Sequence, residues 1–577
     1  MVAFNEAYSA LWKAYEGATE LFHFRANGFA NGWRILHDGP FEITIRYVPQ
    51  RTLVTNIYVS AVLIFILALF VYLRARSSKS VAREVAYSAP RWSGLLAFGI
   101  LGLVSLVPLL WFREGTLITG ADINFPLDPL ARFGNRLFAW GVSANGGVDQ
   151  SSLFSSLIFH GVQALFAAPG FALVWVERLE LIFWNALLGA SFFIFIRELI
   201  GKRWSVAALA VTCFWLFNPY RIVMWTETNV ATLAGSIALP LFLVTALKVF
   251  RAKLNPHSGG VLIGMILLLG SGMGLNPPIM VLTLGTALLF YLGGLVRTWR
   301  KKSARARWLL FGLFIFVWSG VLNLFWILPF TVALVASAQA SSGLEGFQLL
   351  NWVEGLSRDT SLWNVLRLQG AWDWYQNYKS EPYIPYAKIY RENLALITIS
   401  ILPFALSVFG LIYTRQRWWI GFALILITIG VVFGMGVHEG ALGIFGWASE
   451  HIPGFWMFRS PWYKFTLLTT LGYGIAIAFA LVALKRFIRS TPVYHISVLA
   501  LAGLFIAFGF PLLTGSLFPT KTERQELNNF HVQVPSYVFE ASRWLNQQAR
   551  EGKVMFLPKD AAYNYTWGYG SAGDVTF

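Results

Sequence analysis

The stretch Arg297-Thr298-Trp299-Arg300-Lys301-Lys302-Ser303-Ala304-Arg305-Ala306-Arg307 carries six basic residues and no acidic one, between the apolar runs 278–296 and 308–330. A helix needs about 20 mainly apolar residues to cross a hydrocarbon core roughly 30 Å thick. Two such runs joined by a short basic connection read as a pair of membrane spans whose loop stays in the cytoplasm. The pattern recurs in both directions. Arg74/Arg76/Lys79/Arg83/Arg91, Arg197/Lys202/Arg203, Lys248/Arg251/Lys253, Arg415/Arg417 and Lys485/Arg486/Arg489 occupy every second connection. Together the six clusters hold 22 of the 45 Lys and Arg, with only Glu84 and Glu198 among them as acids.

Working outward from these clusters gives twelve apolar runs, near 53–73, 94–112, 173–196, 205–220, 231–250, 259–275, 278–296, 308–330, 394–413, 418–436, 466–485 and 495–513. The expected fold is mainly α, a polytopic transmembrane helical bundle of about twelve spans with small extracytoplasmic β and α/β pieces. Composition agrees. The 577 residues are 56% hydrophobic and 13% charged, with a mean hydropathy of +0.58. A soluble chain carries about 25% charged residues, so a soluble enzyme, a disordered chain and a collagen-like array are excluded. The net charge of +17 would suggest nucleic acid in a soluble protein. Outside the six clusters, however, 23 basic residues face 26 acidic ones, so the excess is topological and no nucleic-acid partner is expected. The lone Cys213 permits no intrachain disulfide.

The alternation places 1–52, 113–172, 338–392, 437–465 and 514–577 outside a bacterial-type plasma membrane, with the bilayer itself as a partner. Residues 1–52 read as a small β module, from the alternation Phe41-Glu42-Ile43-Thr44-Ile45-Arg46-Tyr47-Val48 and the turn signals Asn27-Gly28, Asn31-Gly32 and Asp38-Gly39. No signal peptide precedes it. Residues 53–90 are a single span and linker, 91–513 the membrane core, and 514–577 the start of an extracytoplasmic α/β domain with a helix near 536–550 and a strand at 554–557. Both ends suggest a fragment or a rearranged gene product.

Chemistry is expected on the outer face. Thr119-Gly120-Ala121-Asp122 and Pro126-Leu127-Asp128-Pro129 lie just beyond the second span. Asp122 there either serves as a general base on a bound hydroxyl or caps a turn. Arg221, after Asn218-Pro219-Tyr220, and Arg459 and Lys464, in Phe458-Arg459-Ser460-Pro461-Trp462-Tyr463-Lys464-Phe465, stand at outer span ends. Cations at headgroup depth suit a lipid phosphate, or snorkel to ordinary anionic lipid. Trp372, Trp374 and Tyr375, in the aromatic segment 338–392, offer faces to sugar rings or form an interfacial belt. Glu177, Arg178 and Glu180 read as an interfacial helix start. His438/Glu439 and Glu450/His451 lack metal-ligand spacing, so no metal residues are named. No Walker loop, GxSxG or HExxH motif stands out.

Gly120-Ala121-Asp122, Pro126-Leu127-Asp128-Pro129, Leu137-Phe138-Ala139-Trp140 and the Phe458–Phe465 motif resemble the GT-C class of polytopic glycosyltransferases. Within it, they resemble the membrane domain of bacterial alpha-(1→3)-arabinofuranosyltransferase-like proteins. Pro535-Ser536-Tyr537, Trp544-Leu545, Phe556-Leu557-Pro558 and Tyr565-Thr566-Trp567-Gly568 resemble the opening of the exoplasmic domain that follows. Asn5-Glu6-Ala7-Tyr8, Trp12-Lys13-Ala14 and Tyr47-Val48-Pro49-Gln50 resemble the carboxy-terminal β module of such proteins, as if a tail were joined to a head. The resemblance implies inverting transfer of a sugar from a polyprenyl-phosphate donor to a cell-envelope glycan or glycolipid. Asp122 would be the base, Asp128 its reserve, and Arg459, Lys464 and Arg221 the phosphate ligands. No cofactor is required, while a divalent metal remains compatible. The rival readings are a lipid-linked sugar flippase and a non-catalytic scaffold.

Overall fold

The computed structural model of the chain describes residues 1–36, 39–77, 91–119, 125–142, 146–226, 229–341, 346–378, 381–441, 443–518 and 530–548. Strands β1 (Val2–Ala7), β2 (Trp12–Glu16), β3 (Thr19–Glu20), β4 (His23–Ala26), β5 (Ala30–Trp33) and β6 (Thr44–Tyr47) form two antiparallel three-stranded sheets, ordered β1-β5-β4 and β3-β2-β6. Asn27 and Gly28, both at positive φ, turn β4 into β5 as their sequence predicts. The Asn31-Gly32 turn is not formed. Asn31 lies inside β5, fully buried, donating to the Glu6 and Ala7 carbonyls and accepting from Ser9 N. These bonds give its amide the partners that a buried polar group needs, which holds it in the sheet. Asp38 and the expected strand at 554–557 lie outside the described residues.

The module is docked rather than separate. Trp12, Tyr47 and Trp140 pack ring to ring, and Gln50 bonds Leu137 O and Ala139 N.

Helices follow. α1 (Val48–Ser77) and α2 (Arg91–Ser105) lead to strand β7 (Leu117–Ile118), helix α3 (Pro129–Asn135), the strand pair β8 (Trp140–Gly141) and β9 (Val148–Asp149), and α4 (Leu157–Ala167). Then come α5 (Leu173–Ile200), α6 (Ser205–Leu216), α7 (Pro219–Thr226), α8 (Val230–Phe250), α9 (Pro256–Leu269), α10 (Pro277–Thr298) and α11 (Lys302–Ser341). The segment after α11 folds as α12 (Gly346–Ser357), α13 (Leu362–Leu366), the strand pair β10 (Asn377–Tyr378) and β11 (Glu381–Pro382), and α14 (Pro385–Glu392). α15 (Leu394–Tyr413), α16 (Arg417–Gly434), α17 (Ile444–His451), α18 (Pro461–Phe487), α19 (Thr491–Phe508), α20 (Phe510–Thr514), β12 (His531–Val532) and α21 (Ser536–Gln548) complete the chain.

The protein is a polytopic helical membrane bundle. Among the described residues nine helices are long and apolar enough to cross a membrane, and a bent pair makes a tenth. Two of the twelve expected runs are reshaped. The run 205–220 breaks into α6 and α7, which meet at 50°. Pro219 disfavours helical backbone at Asn218, whose amide instead bonds back to the Phe214 and Trp215 carbonyls. The run 259–275 yields only the 14-residue α9, ended at Gly270 by a short 3-10 turn. The first run, 53–73, lies within the 30-residue α1.

α18 is the most deeply buried of the nine. Neighbours approach it backbone to backbone: a Cβ at Gly410 of α15 would overlap the Ala476 carbonyl, and one at Gly430 of α16 would overlap the Thr469 hydroxyl. Small residues permit such contact between membrane helices. The basic connections converge at one end of the bundle, where Arg251 bonds Glu198 and Arg486 bonds the Tyr413 carbonyl.

Candidate active site

The opposite end of α18 is built by aromatic packing. Phe455, Phe458 and Phe465 cluster with Phe433, and Phe455 also meets Phe445; this fixes the 3-10 turn Phe455–Phe458 ahead of the helix. Pro461 then starts the helix, its fixed φ being suited to the first helical position. The Ser460 side chain does not cap the helix, so its first N–H groups are left to other acceptors. Arg459 is exposed beside this terminus with its guanidinium over Trp352 at 5.8 Å, and Lys464 is half-buried one turn further on. A helix amino terminus flanked by an Arg and a Lys favours negative charge nearby.

α7 links this terminus to the first loop. At its start Tyr220 packs on Trp462 at 5.7 Å and its hydroxyl donates to the Tyr463 carbonyl; at its end Trp225 packs on Trp111 at 5.1 Å. Eight helical residues span about 12 Å, so Trp111 and Trp462 meet the two ends of one short helix. Beyond Trp111, β7 pairs antiparallel with β12 through His531↔Ile118 and Val532↔Leu117. Ile118 N donates to Glu177 Oε2 at 3.0 Å, and Thr119 N to the Phe530 carbonyl. Asp122 itself lies outside the described residues. Asp128 is exposed and caps α3, accepting from Ala131 N at 2.9 Å.

Arg221 is placed differently from its expected position at an outer mouth. It is 1% exposed, stacked on Trp215 at 4.2 Å, with Nε donating to the Trp215 carbonyl and Nη1 to Ser236 Oγ. Its Nη2 finds no partner among the described residues, and Arg221 lines a narrow cavity with Asn229 and Trp225. The break at Asn218-Pro219 leaves the side chain buried among Trp215 and Ser236.

The three aromatics expected to stack sugars also separate. Trp374 is 1% exposed between Tyr386 and Tyr390, so neither ring face is open. Trp372 is half-buried beside Tyr383. Tyr375 donates its hydroxyl to the Gln369 carbonyl at 2.7 Å and lies under Arg391. Burial pushes its hydroxyl up to about 12, against the pull of Arg367.

Two features were not read as functional from the sequence. Asp373, between the two tryptophans, is buried and accepts the Tyr463 hydroxyl at 3.0 Å. The signal was an acid embedded in Trp372-Asp373-Trp374. Glu177 and Glu180, expected as an interfacial helix start, are instead buried. Glu180 takes both carboxylate bonds from Gln163 Nε2, whose Oε1 meets His160 Nδ1 at 2.8 Å. Carboxyl groups at a span end are buried where other polar groups complete their bonds, as the Gln163 side chain and the Ile118 backbone N–H do here. Among the described residues no three His, Cys, Asp or Glu side chains gather as a metal site.

No protein-family model matches the sequence, and no curated protein matches it. Solved structures do. The cryo-EM structure of arabinofuranosyltransferase AftD from Mycobacteria aligns with 84% of this chain at TM-score 0.53 and 15% identity. Two structures of a mutant of that protein align over the same share, at TM-scores of 0.53 and 0.50 and identities of 15% and 14%. The chain spans 31% of the length of the AftD chain, about a third. Over most of its length, then, this bundle shares the fold of that AftD structure.

Proposed function

We propose that the chain is a membrane glycosyltransferase. It moves a sugar from a polyprenyl-phosphate donor to a glycan or glycolipid acceptor, with inversion, at the membrane face opposite the basic connections. The observation that supports this reading is the meeting of Trp111 and Trp462 with the two ends of α7, which brings the segment ahead of β7 and the anion-suited terminus of α18 onto one short helix. In the transfer, Asp122 takes the acceptor hydroxyl proton and the hydroxyl oxygen bonds to the anomeric carbon. The bond from that carbon to the phosphate oxygen breaks on the opposite face, and the polyprenyl phosphate leaves with the electron pair. Its growing charge is met by Arg459, Lys464 and the positive dipole end of α18, which act most strongly where charge develops. Trp372 and Tyr375 stand ready to stack the sugar, and Asp128 is the reserve base.

The test is the reconstituted chain with a panel of polyprenyl-phosphate sugars and a glycan acceptor. Release of polyprenyl phosphate and an inverted anomer by NMR are expected. Loss of a general base costs roughly 100-fold or more, so Asp122→Asn should fall by at least that. Undiminished transfer by Asp122→Asn would reject the base, and donor carried across vesicles without cleavage would replace transferase with flippase.

A further inference from the structure

A second cavity, of about 90 Å³, lies at the basic end of the bundle, remote from α7 and the start of α18. Three connections distant in sequence wall it. Arg251 closes α8, Arg297 closes α10, and Gln416 and Trp418 open α16. Its floor is aromatic, with Phe290 packed on Trp418 and Trp419 at 6.3 and 5.5 Å. Clustered cations on this end follow from membrane orientation alone. A cavity enclosed between helices does not. The two arginines also differ. Arg251 is spent on Glu198 and the Leu199 carbonyl. Arg297 is exposed, rests over Phe250 at 5.3 Å, and has no carboxylate partner among the described residues.

Arg297 also borders an adjoining open cavity of about 500 Å³, formed with Leu295, Val296, Trp299, Arg300 and Lys301. From there an exposed apolar stripe, Leu284, Leu288, Leu292 and Val296, runs along α10 at four-residue spacing. Residues four apart share one helix face. A forked cation at the helix end and an apolar track leading from it match an amphiphile whose polar end is a phosphate. Arg pairs its planar donors with phosphoryl oxygens, and basic pockets between helices at this end of membrane proteins take anionic headgroups.

We infer that this cavity binds the phosphodiester headgroup of an anionic phospholipid through Arg297 and Gln416, with an acyl chain along the α10 stripe. The site is separate from the proposed transfer chemistry, and its test does not depend on that chemistry. The full chain, in nanodiscs of phosphatidylcholine, is titrated with phosphatidylglycerol and read by native mass spectrometry and thermal unfolding. Retained phosphatidylglycerol and a rise in Tm are expected, since a ligand that binds only the folded state stabilises it. Arg297→Ala should weaken retention about tenfold, the loss of one charge-assisted contact. Arg489→Ala, a basic-end change outside the cavity, should leave it unaltered. Gln416→Leu, which keeps every charge, should weaken retention as well and guards against misfolding of the arginine variant. Equal retention by wild type, Arg297→Ala and Gln416→Leu would overturn the inference. So would equal binding of phosphatidylcholine, or full displacement of the lipid by millimolar glycerol phosphate, which would mark a site for free phosphate.

Discussion

Tyr463 donates its hydroxyl to Asp373 Oδ1 at 3.0 Å, tying the first turn of α18 to the aromatic loop ahead of α14. Both side chains are buried, so the bond is shielded from water. Its neighbour Lys464 is one of the two cations assigned to the donor phosphate. The bond therefore anchors the helix turn from which that cation projects. A buried hydrogen bond to a charged group contributes about 1.5–3 kcal/mol. Tyr463→Phe should lower stability by that order and raise the donor KM, and Asp373→Asn should act in the same direction. Because both changes break one contact, the double variant should lose less than the two single losses added together. Full additivity in thermal unfolding would show that the pair is not coupled.

Arg459 is a different case, since it is exposed and its one ring partner among the described residues is Trp352. Little of the fold depends on it. Arg459→Ala should leave the unfolding free energy within about 0.5 kcal/mol of wild type, as surface changes do. If the guanidinium holds the donor phosphate in ground and transition states alike, KM should rise about tenfold while kcat stays near its original value. Arg459→Lys should recover part of this, having charge without the fork. An unchanged KM for the polyprenyl-phosphate donor would remove Arg459 from the site.

How far the sequence could be read depended on the range of the interactions. The bilayer imposes its own composition, so apolar runs and basic clusters marked nearly every long helix, from α2 to α19. The break between α6 and α7 was hidden because every side chain from Ser205 to Thr226 is buried, including the polar Asn218 and Arg221. Nothing in hydropathy separates a straight buried helix from a bent one. The site was legible as residue types but not as geometry. Trp372 and Trp374 are two residues apart and equally aromatic, yet Tyr386 and Tyr390, twelve to sixteen residues downstream of Trp374, cover only the second. Asp373 and Tyr463 are ninety residues apart, and no local pattern pairs them.

His160 predicts a pH dependence. It lies on α4, in the segment between α2 and α5, and burial holds its pKa down at about 4; Gln163 opposes the shift, while Arg136 and Arg132 add to it. A histidine whose folded pKa lies below its unfolded value of about 6.5 is bound by more protons when unfolded, so stability falls as pH drops between those values. Above pH 6.5 the group has no effect. Across the window the loss is of the order of 3 kcal/mol, from 1.36 kcal/mol per unit. His160→Asn, which cannot be protonated, should show a flatter Tm between pH 6.5 and 4 than wild type. Parallel curves for the two proteins would refute the assignment.

Glu177 offers the sharpest separation of structure from chemistry. Its carboxylate accepts the Ile118 amide and so fixes β7, the strand that leads one residue later to Thr119 and then to the loop carrying Asp122. Glu177→Leu leaves that buried N–H without an acceptor, at a cost of about 1–3 kcal/mol. Glu177→Gln keeps a carbonyl oxygen for the same bond and should restore most of the stability. If Glu177 acts by positioning the strand, activity should follow the bond rather than the charge. Glu177→Leu should then lower kcat by about tenfold or more with little change in donor KM, because a displaced base affects the transition state and not donor binding. Glu177→Gln should recover kcat. A Gln variant as inactive as the Leu variant would instead make the charge itself essential, and Glu177 would join the reacting groups.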